Sequence, residues 1–193
     1  MRTGGAARAI GSSIPTHCQP YEASRRRGSA PLNEKHVELD YEGGMAFAAA
    51  MSSGHTFRFD DRPSNTGASP VETVLAALAA CSAMDVVAIA LKKRQKISRY
   101  IVHVTATQRD EYPQVFPRID VVHEVEGAGV SEAAIRRCIE LSALKYCPVS
   151  AMLSAGATEI HHRYELRNTG ARPFEAEGEA AVTGPCRRPD VVA

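Results

Sequence analysis

Residues 69–94 decide the fold and read SPVETVLAALAACSAMDVVAIALKKR. Ser69, Pro70 and Glu72 indicate a helix start, with serine as N-cap, proline in the first turn and glutamate completing a capping box. Cationic residues follow Leu91, where they suit the helix dipole. The run between these signals is apolar on nearly all sides, so we expect a helix roughly 35–40 Å long that is buried on most sides. One small domain can hardly cover such a helix, which favours a dimer.

The same run is also long enough to raise the question of a membrane span. It is rich in alanine, which partitions weakly, and it carries Asp85 near its middle. A charge at that depth costs about 2.5–3.5 kcal/mol on insertion scales. We therefore expect the buried helix of a soluble protein and no membrane partner.

Composition excludes several classes of protein. The chain has 193 residues, 44% of them hydrophobic, and a formal net charge of +1. This length allows one domain plus tails, and the charge gives no electrostatic reason to expect a nucleic-acid partner. The five cysteines are odd in number and show no C-x-x-C spacing, which favours free thiols in the cytoplasm over a disulfide framework.

The two ends of the chain differ from its middle. Residues 1–34 are rich in glycine, serine, proline and arginine without an apolar period, and 169–193 are similar. We expect a disordered N-terminal extension, a folded domain over 35–168 and a flexible C-terminal tail. The extension lacks the apolar core of a signal peptide, although an organelle transit peptide would look similar.

Periodicity places the remaining elements. An N-terminal meander turns at Gly43-Gly44, a second helix runs from Ser131 to about Tyr146, and a short helix covers 148–154. Alternating apolar residues predict two strands between the long helix and the second helix, and a last strand after the short helix. This order predicts an α+β fold with an antiparallel sheet.

Two cysteines are candidates for chemistry. Cys147 directly precedes Pro148, which disfavours helical geometry at Cys147 and opens a new turn, so the thiol should lie at a helix N-terminus that favours a thiolate. Cys81 is flanked by small residues and fits either a reactive thiol or a small buried side chain. Asp85 shares its helix face and would raise the pKa of a neighbouring thiol, so a cation is needed to offset it. Arg58 and Arg62 are the candidates.

Other motifs give no alternative chemistry. The adjacent His161 and His162 should point to opposite faces of a strand, which argues against a shared zinc ion. Cys138 falls within the second helix and is expected to be structural. The chain has no G-x-S-x-G, H-E-x-x-H or phosphate-loop motif. The sequence therefore predicts neither a metal nor a cofactor.

Three segments together resemble the OsmC/Ohr superfamily, whose names stand for osmotically inducible protein C and organic hydroperoxide resistance. They are the entry to the long helix with its cysteine (65–85), the Lys145–Ser150 segment KYCPVS, and the Gly43-Gly44 turn. The resemblance covers about 37–167. It implies an OsmC-like fold in which antiparallel sheets pack on a long central helix within an intertwined homodimer.

The resemblance also implies a reaction. Cys81, as the peroxidatic thiolate, attacks a hydroperoxide, and Cys147 resolves the resulting sulfenic acid by forming a disulfide. An external dithiol, for which a lipoyl-type compound is one option, restores both thiols. The residues alone favoured Cys147 as the more acidic thiol, whereas the resemblance assigns the first step to Cys81.

The chain departs from the best-known peroxidase branch at two positions. That branch has an arginine after the Gly-Gly turn and a glutamate directly after the helix-opening proline, where this chain has Met45 and Val71. Glu72 lies one residue later, about 100° further around the helix. We therefore expect support for the Cys81 thiolate to be rebuilt from Glu72, Arg58 and Arg62.

Two alternatives stay open at this point. The apolar helix and the missing charged positions also fit a non-catalytic protein that binds a small molecule at the dimer interface. A purely structural disulfide between Cys81 and Cys147 is the other.

Overall fold

The computed structural model describes residues 34–185, and contacts divide the chain after His36. The predicted extension, Cys18 and Cys186 lie outside the described residues, apart from Glu34 of the extension. All elements belong to the unit that begins at Val37. They follow in the order β1 Val37–Gly43, β2 Ala46–Met51, β3 Thr56–Phe59, α1 Pro70–Lys92, β4 Ile97–Ala106, β5 Arg118–Gly127, α2 Glu132–Leu141, a π-helical turn Ser142–Tyr146, α3 Pro148–Ser154, β6 Glu159–Asn168 and β7 Phe174–Thr183.

The first three strands form the predicted antiparallel meander, in the order β1-β2-β3. Gly43 and Gly44 make the first turn with φ of 107° and 61°, a conformation that favours glycine. Every residue of β1 is exposed in the single chain.

Helix α1 begins as predicted. The Ser69 side chain accepts a hydrogen bond from the Glu72 backbone N–H, and the Glu72 carboxylate accepts one from the Ser69 N–H. Its buried residues follow one another at intervals of four and form a single stripe along the helix: Leu78, Ser82, Val86 and Ala90. The expectation of burial on most sides is wrong for one chain, because apolar side chains outside this stripe face solvent.

By length and composition, α1 is the one helix among residues 34–185 that could cross a membrane, with a mean hydropathy of 2.3 in its apolar window. A core helix of a soluble protein passes the same test.

The second sheet has the order β4-β5-β6-β7 and differs from the prediction in one pairing. Strands β5 and β6 are parallel, whereas the other two pairings are antiparallel. A parallel pair needs a long crossover, and α2, the π-helical turn and α3 supply it. Hydrophobic periodicity gives strand positions and not strand partners, so the sequence does not predict this parallel pairing.

The predicted C-terminal tail is wrong in part. Residues 174–183 form β7, which pairs along the length of β6. The strand contains Gly178 and several alanines, so its apolar alternation is weak. The Tyr164 ring packs over Gly178, where a Cβ atom would lie 2.8 Å from its hydroxyl, so a larger residue would force the ring to move.

The buried interior contains two apolar clusters. The Cys147 cluster consists of Leu78, Ile119, Val121, Cys147 and Ile160. The Cys138 cluster consists of Val86, Ala90, Val125, Val130, Ile135, Cys138, Ile139, Tyr164, Leu166 and Ala180. Three elements contribute residues to both clusters, and on each of them one buried polar residue lies between the two groups. These residues are Ser82 on α1, His123 on β5 and His162 on β6. Together with one further serine, these residues form the polar layer of Ser82, His123, Ser142 and His162.

Candidate active site

Helix α1 carries the first half of the site. Cys81 and Asp85 lie four residues apart and therefore share one face of the helix. Cys81 is half-buried and packs against the Cys147 cluster.

The second half of the site is the junction between the π-helical turn and α3. Cys147 is the N-cap of α3, with Pro148 at the first helical position, and its backbone is extended at φ −73° and ψ 104°. This is the conformation that a following proline favours. The Cys147 sulfur accepts a hydrogen bond from the Ser150 backbone N–H at 3.3 Å. The prediction that Cys147 lies at a helix N-terminus is confirmed.

The two halves meet. The Cys81 sulfur, the Cys147 sulfur and a carboxylate oxygen of Asp85 all lie within 4.8 Å of one another. Cys81 is half-buried in the single chain, whereas Cys147 is only 2% exposed. Cys81 is therefore the more accessible of the two thiols.

Burial controls the acidity of the inner thiol. The pKa of Cys147 is raised to about 12, with burial as the largest cause and the contact with Cys81 as the next, while the hydrogen bond from the Ser150 N–H lowers it. The expectation that the helix N-terminus favours a thiolate at Cys147 is wrong, since loss of hydration outweighs the hydrogen bond at the helix end. Cys147 is therefore a protonated thiol at neutral pH.

Ser142 joins the two halves and was missed by the sequence analysis. Its hydroxyl lies 3.1 Å from Asp85 Oδ2 and 3.3 Å from Ser82 Oγ. A hydroxyl has one proton, so Ser142 donates to the carboxylate and accepts from Ser82. Its carbonyl accepts the Cys147 backbone N–H at 2.9 Å. No motif marks this residue, because its partners on α1 are distant in sequence.

The charged residues expected to support the thiolate have other partners. Glu72 serves the N-terminus of α1, and its pKa is lowered mainly by the hydrogen bonds with Ser69, with Arg62 as a smaller cause. Arg58 forms an ion pair with Glu42 at 3.4 Å. Within residues 34–185, the described contacts of Glu72, Arg58 and Arg62 include neither cysteine. Met45 and Val71 hold the two positions where the best-known branch has charges, and both are exposed.

The remaining histidines and cysteine lie apart from the site. His161 contacts Glu159 and Glu179 on one face of β6, whereas His162 is buried on the other face against His123. They point to opposite faces, as the sequence predicts. Cys138 is fully buried in its cluster, and burial raises its pKa.

Comparison with known proteins agrees with this architecture. A family model described as "OsmC-like protein" matches residues 63–163. Protein YhfA of Escherichia coli K12 is 39% identical over 123 residues, which cover 64% of this chain and 91% of that protein. The crystal structure of a hypothetical protein from Aquifex aeolicus VF5 has a TM-score of 0.64 at 25% identity, covering 73% of this chain and all of the other. An organic hydroperoxide resistance protein OsmC from Legionella pneumophila shares the fold, with a TM-score of 0.50 at 14% identity over 69% of this chain and 97% of that chain. The chain therefore belongs to the OsmC-like protein family.

Proposed function

We propose that the chain is a thiol-dependent peroxidase that reduces organic hydroperoxides through Cys81 and Cys147. The observation that carries the proposal is the separation of the two sulfur atoms, at most 4.8 Å. A disulfide bond of about 2.05 Å then needs only a small local movement. Family membership supports the substrate class, because a protein of this fold is named for organic hydroperoxide resistance.

The proposed reaction begins at the accessible thiol. The Cys81 thiolate attacks the terminal oxygen of the hydroperoxide, the O–O bond breaks, and the alkoxide leaves as an alcohol after taking up a proton. Cys81 is now a sulfenic acid. The Cys147 sulfur attacks it, water leaves with the sulfenic oxygen, and the Cys81–Cys147 disulfide forms. An external dithiol reduces the disulfide by thiol–disulfide exchange and is itself oxidised.

The exposed apolar surface of α1 supports a homodimer as the functional unit. Met84 is 74% exposed and Leu91 is 68% exposed, although both belong to the apolar run of the central helix. Contiguous apolar patches of this kind mark interaction sites. We expect full-length chain to sediment as a dimer at micromolar concentration. Free thiols at the site also favour the reducing cytoplasm as its compartment.

The test is steady-state consumption of an alkyl hydroperoxide with a dithiol reductant. Cys81→Ser should abolish turnover, because no other sulfur takes the first step. Cys147→Ser should complete the first oxidation but not the cycle, so that dimedone labels the sulfenic acid on Cys81. Cys138→Ala is the matched control, since this cysteine lies in the other cluster, and it should keep full turnover.

Equal turnover by wild type and Cys81→Ser would contradict the proposal. Absence of turnover in the wild type, with a melting temperature that falls on reduction, would favour a structural disulfide. A small apolar ligand that stabilises the Cys81→Ala/Cys147→Ala double variant as strongly as the wild type would favour the non-catalytic alternative.

A further inference from the structure

The Asp85 carboxylate lies beside the sulfur atoms of Cys81 and Cys147, although disulfide formation does not require a carboxylate there. In residues 34–185 no other set of three His, Cys, Asp or Glu side chains brings its ligand atoms this close together. Around a tetrahedral zinc ion with Zn–S bonds of about 2.3 Å, two sulfurs lie about 3.8 Å apart. The upper limit of 4.8 Å on the separations of the three ligand atoms admits that distance.

The donor set selects the class of metal. Two thiolates and one carboxylate suit a borderline-soft ion with tetrahedral preference, whereas calcium and magnesium require oxygen ligands alone. Three protein ligands leave a fourth tetrahedral position, which is the arrangement of zinc sites that bind water or a small molecule.

Neighbouring groups already hold two of the ligands. Ser142 donates a hydrogen bond to Oδ2 of Asp85, which holds the carboxylate in place and leaves it further lone pairs for a metal. The Ser150 N–H donates to the Cys147 sulfur, a contact that stabilises a thiolate. Hydrogen bonds from outer groups that orient metal ligands are a regular feature of zinc sites.

The charges of the site point the same way. Asp85 adds a carboxylate beside two thiols, and the described contacts of Arg58 and Arg62 lie with other groups. We propose that the reduced protein binds one Zn²⁺ per chain through Cys81 Sγ, Cys147 Sγ and the Asp85 carboxylate. A divalent cation offsets the charge of the carboxylate, and both cysteines bind it as thiolates because binding releases their protons.

The test is metal titration of the full chain carrying Cys18→Ser and Cys186→Ser, so that thiols outside the described residues do not contribute. The protein is reduced, stripped with a chelator and titrated with Zn²⁺ or Co²⁺ alone. We expect one ion per chain and, with cobalt, a thiolate-to-metal charge-transfer band. Zinc should also protect Cys81 from alkylation by iodoacetamide.

Four further variants locate the site. Cys81→Ser and Cys147→Ser should each remove stoichiometric binding. Asp85→Asn should weaken binding but keep the charge-transfer band, because both sulfurs remain. Ser142→Ala should lower the affinity about 10–100-fold, as expected for loss of an outer hydrogen bond. Cys138→Ala, the matched control, should bind as tightly as the starting protein.

Failure of the reduced, folded chain to bind one ion, or binding that survives the Cys81→Ser/Cys147→Ser double variant, would overturn the zinc site. An affinity unchanged in Asp85→Asn would overturn the assignment of Asp85 as a ligand. The inference does not rest on peroxidase activity, since zinc binding without peroxide consumption leaves it intact while removing the proposed function.

Discussion

At the residue scale, the polar layer contains an unusual pair of buried histidines. His123 Nδ1 lies 2.6 Å from the Tyr100 hydroxyl, and His123 Nε2 lies 3.4 Å from His162 Nδ1. The two rings stack with centroids 5.7 Å apart. Burial is the main cause that lowers the pKa of His123 to about 3 and that of His162 to about 4. Both rings are therefore neutral in the folded protein at physiological pH.

These pKa values predict the response of stability to acid. In the unfolded chain both histidines take up a proton near pH 6.5, whereas the folded protein leaves them neutral until about pH 4. The unfolded state binds more protons in this window, so the free energy of unfolding falls as the pH drops from about 6.5 to about 4. In this pH range His162→Gln should reduce the slope of the free energy of unfolding against pH by about 1.4 kcal/mol per pH unit.

The measurement is urea denaturation at fixed protein concentration and several pH values. His55→Gln is the matched control, because His55 is exposed in a loop. An equal slope in the wild type and His162→Gln would contradict the assignment of a neutral His162.

At the element scale, the capping box fixes the start of α1 and thereby the position of Cys81. Two reciprocal hydrogen bonds between Ser69 and Glu72 satisfy backbone and side-chain groups at this end. Cys81 lies three turns further along the same rigid helix.

Ser69→Ala should lower the free energy of unfolding by about 1 kcal/mol, the usual cost of a lost N-cap. Thermal or urea denaturation of the reduced protein measures the change. Ser64→Ala in the preceding exposed loop should have no comparable effect. A loss as large in Ser64→Ala would mean that the cap contributes little.

The elements differ in how far the sequence predicts them. Ser69, Pro70, Glu72 and the Cys147-Pro148 step are local signals, and the two helices they predict begin where expected. Strand β7 and the parallel β5–β6 pairing depend on contacts far apart in sequence, so no window of residues announces them. The same holds for the site: the two cysteines follow from motifs, whereas the place of Ser142 depends on how α1 packs against the crossover.

At the scale of the whole molecule, the single chain leaves much of its most apolar helix in contact with solvent. A second copy of the chain is the partner that the family relationship supports. Met84→Glu places a charge in the exposed apolar surface of α1, and a charge buried in an interface without a partner is costly. We expect the wild type to sediment as a dimer and this variant as a monomer at the same concentration.

Tyr112→Glu is the matched control, because Tyr112 is equally prominent but lies in the loop between β4 and β5. It should leave the association state unchanged. A dimer of full strength in Met84→Glu would show that α1 is not the interface.

The residues of the polar layer lie between the two apolar clusters along α1, β5 and β6, and the buried apolar residues on either side form separate clusters. Free-energy changes at well-separated positions without common partners add nearly independently. Substitutions around the sulfur atoms should thus show little epistasis with substitutions in the Cys138 cluster. Proteins with this architecture are then able to change their chemistry around the Cys147 cluster while the Cys138 cluster keeps the chain folded.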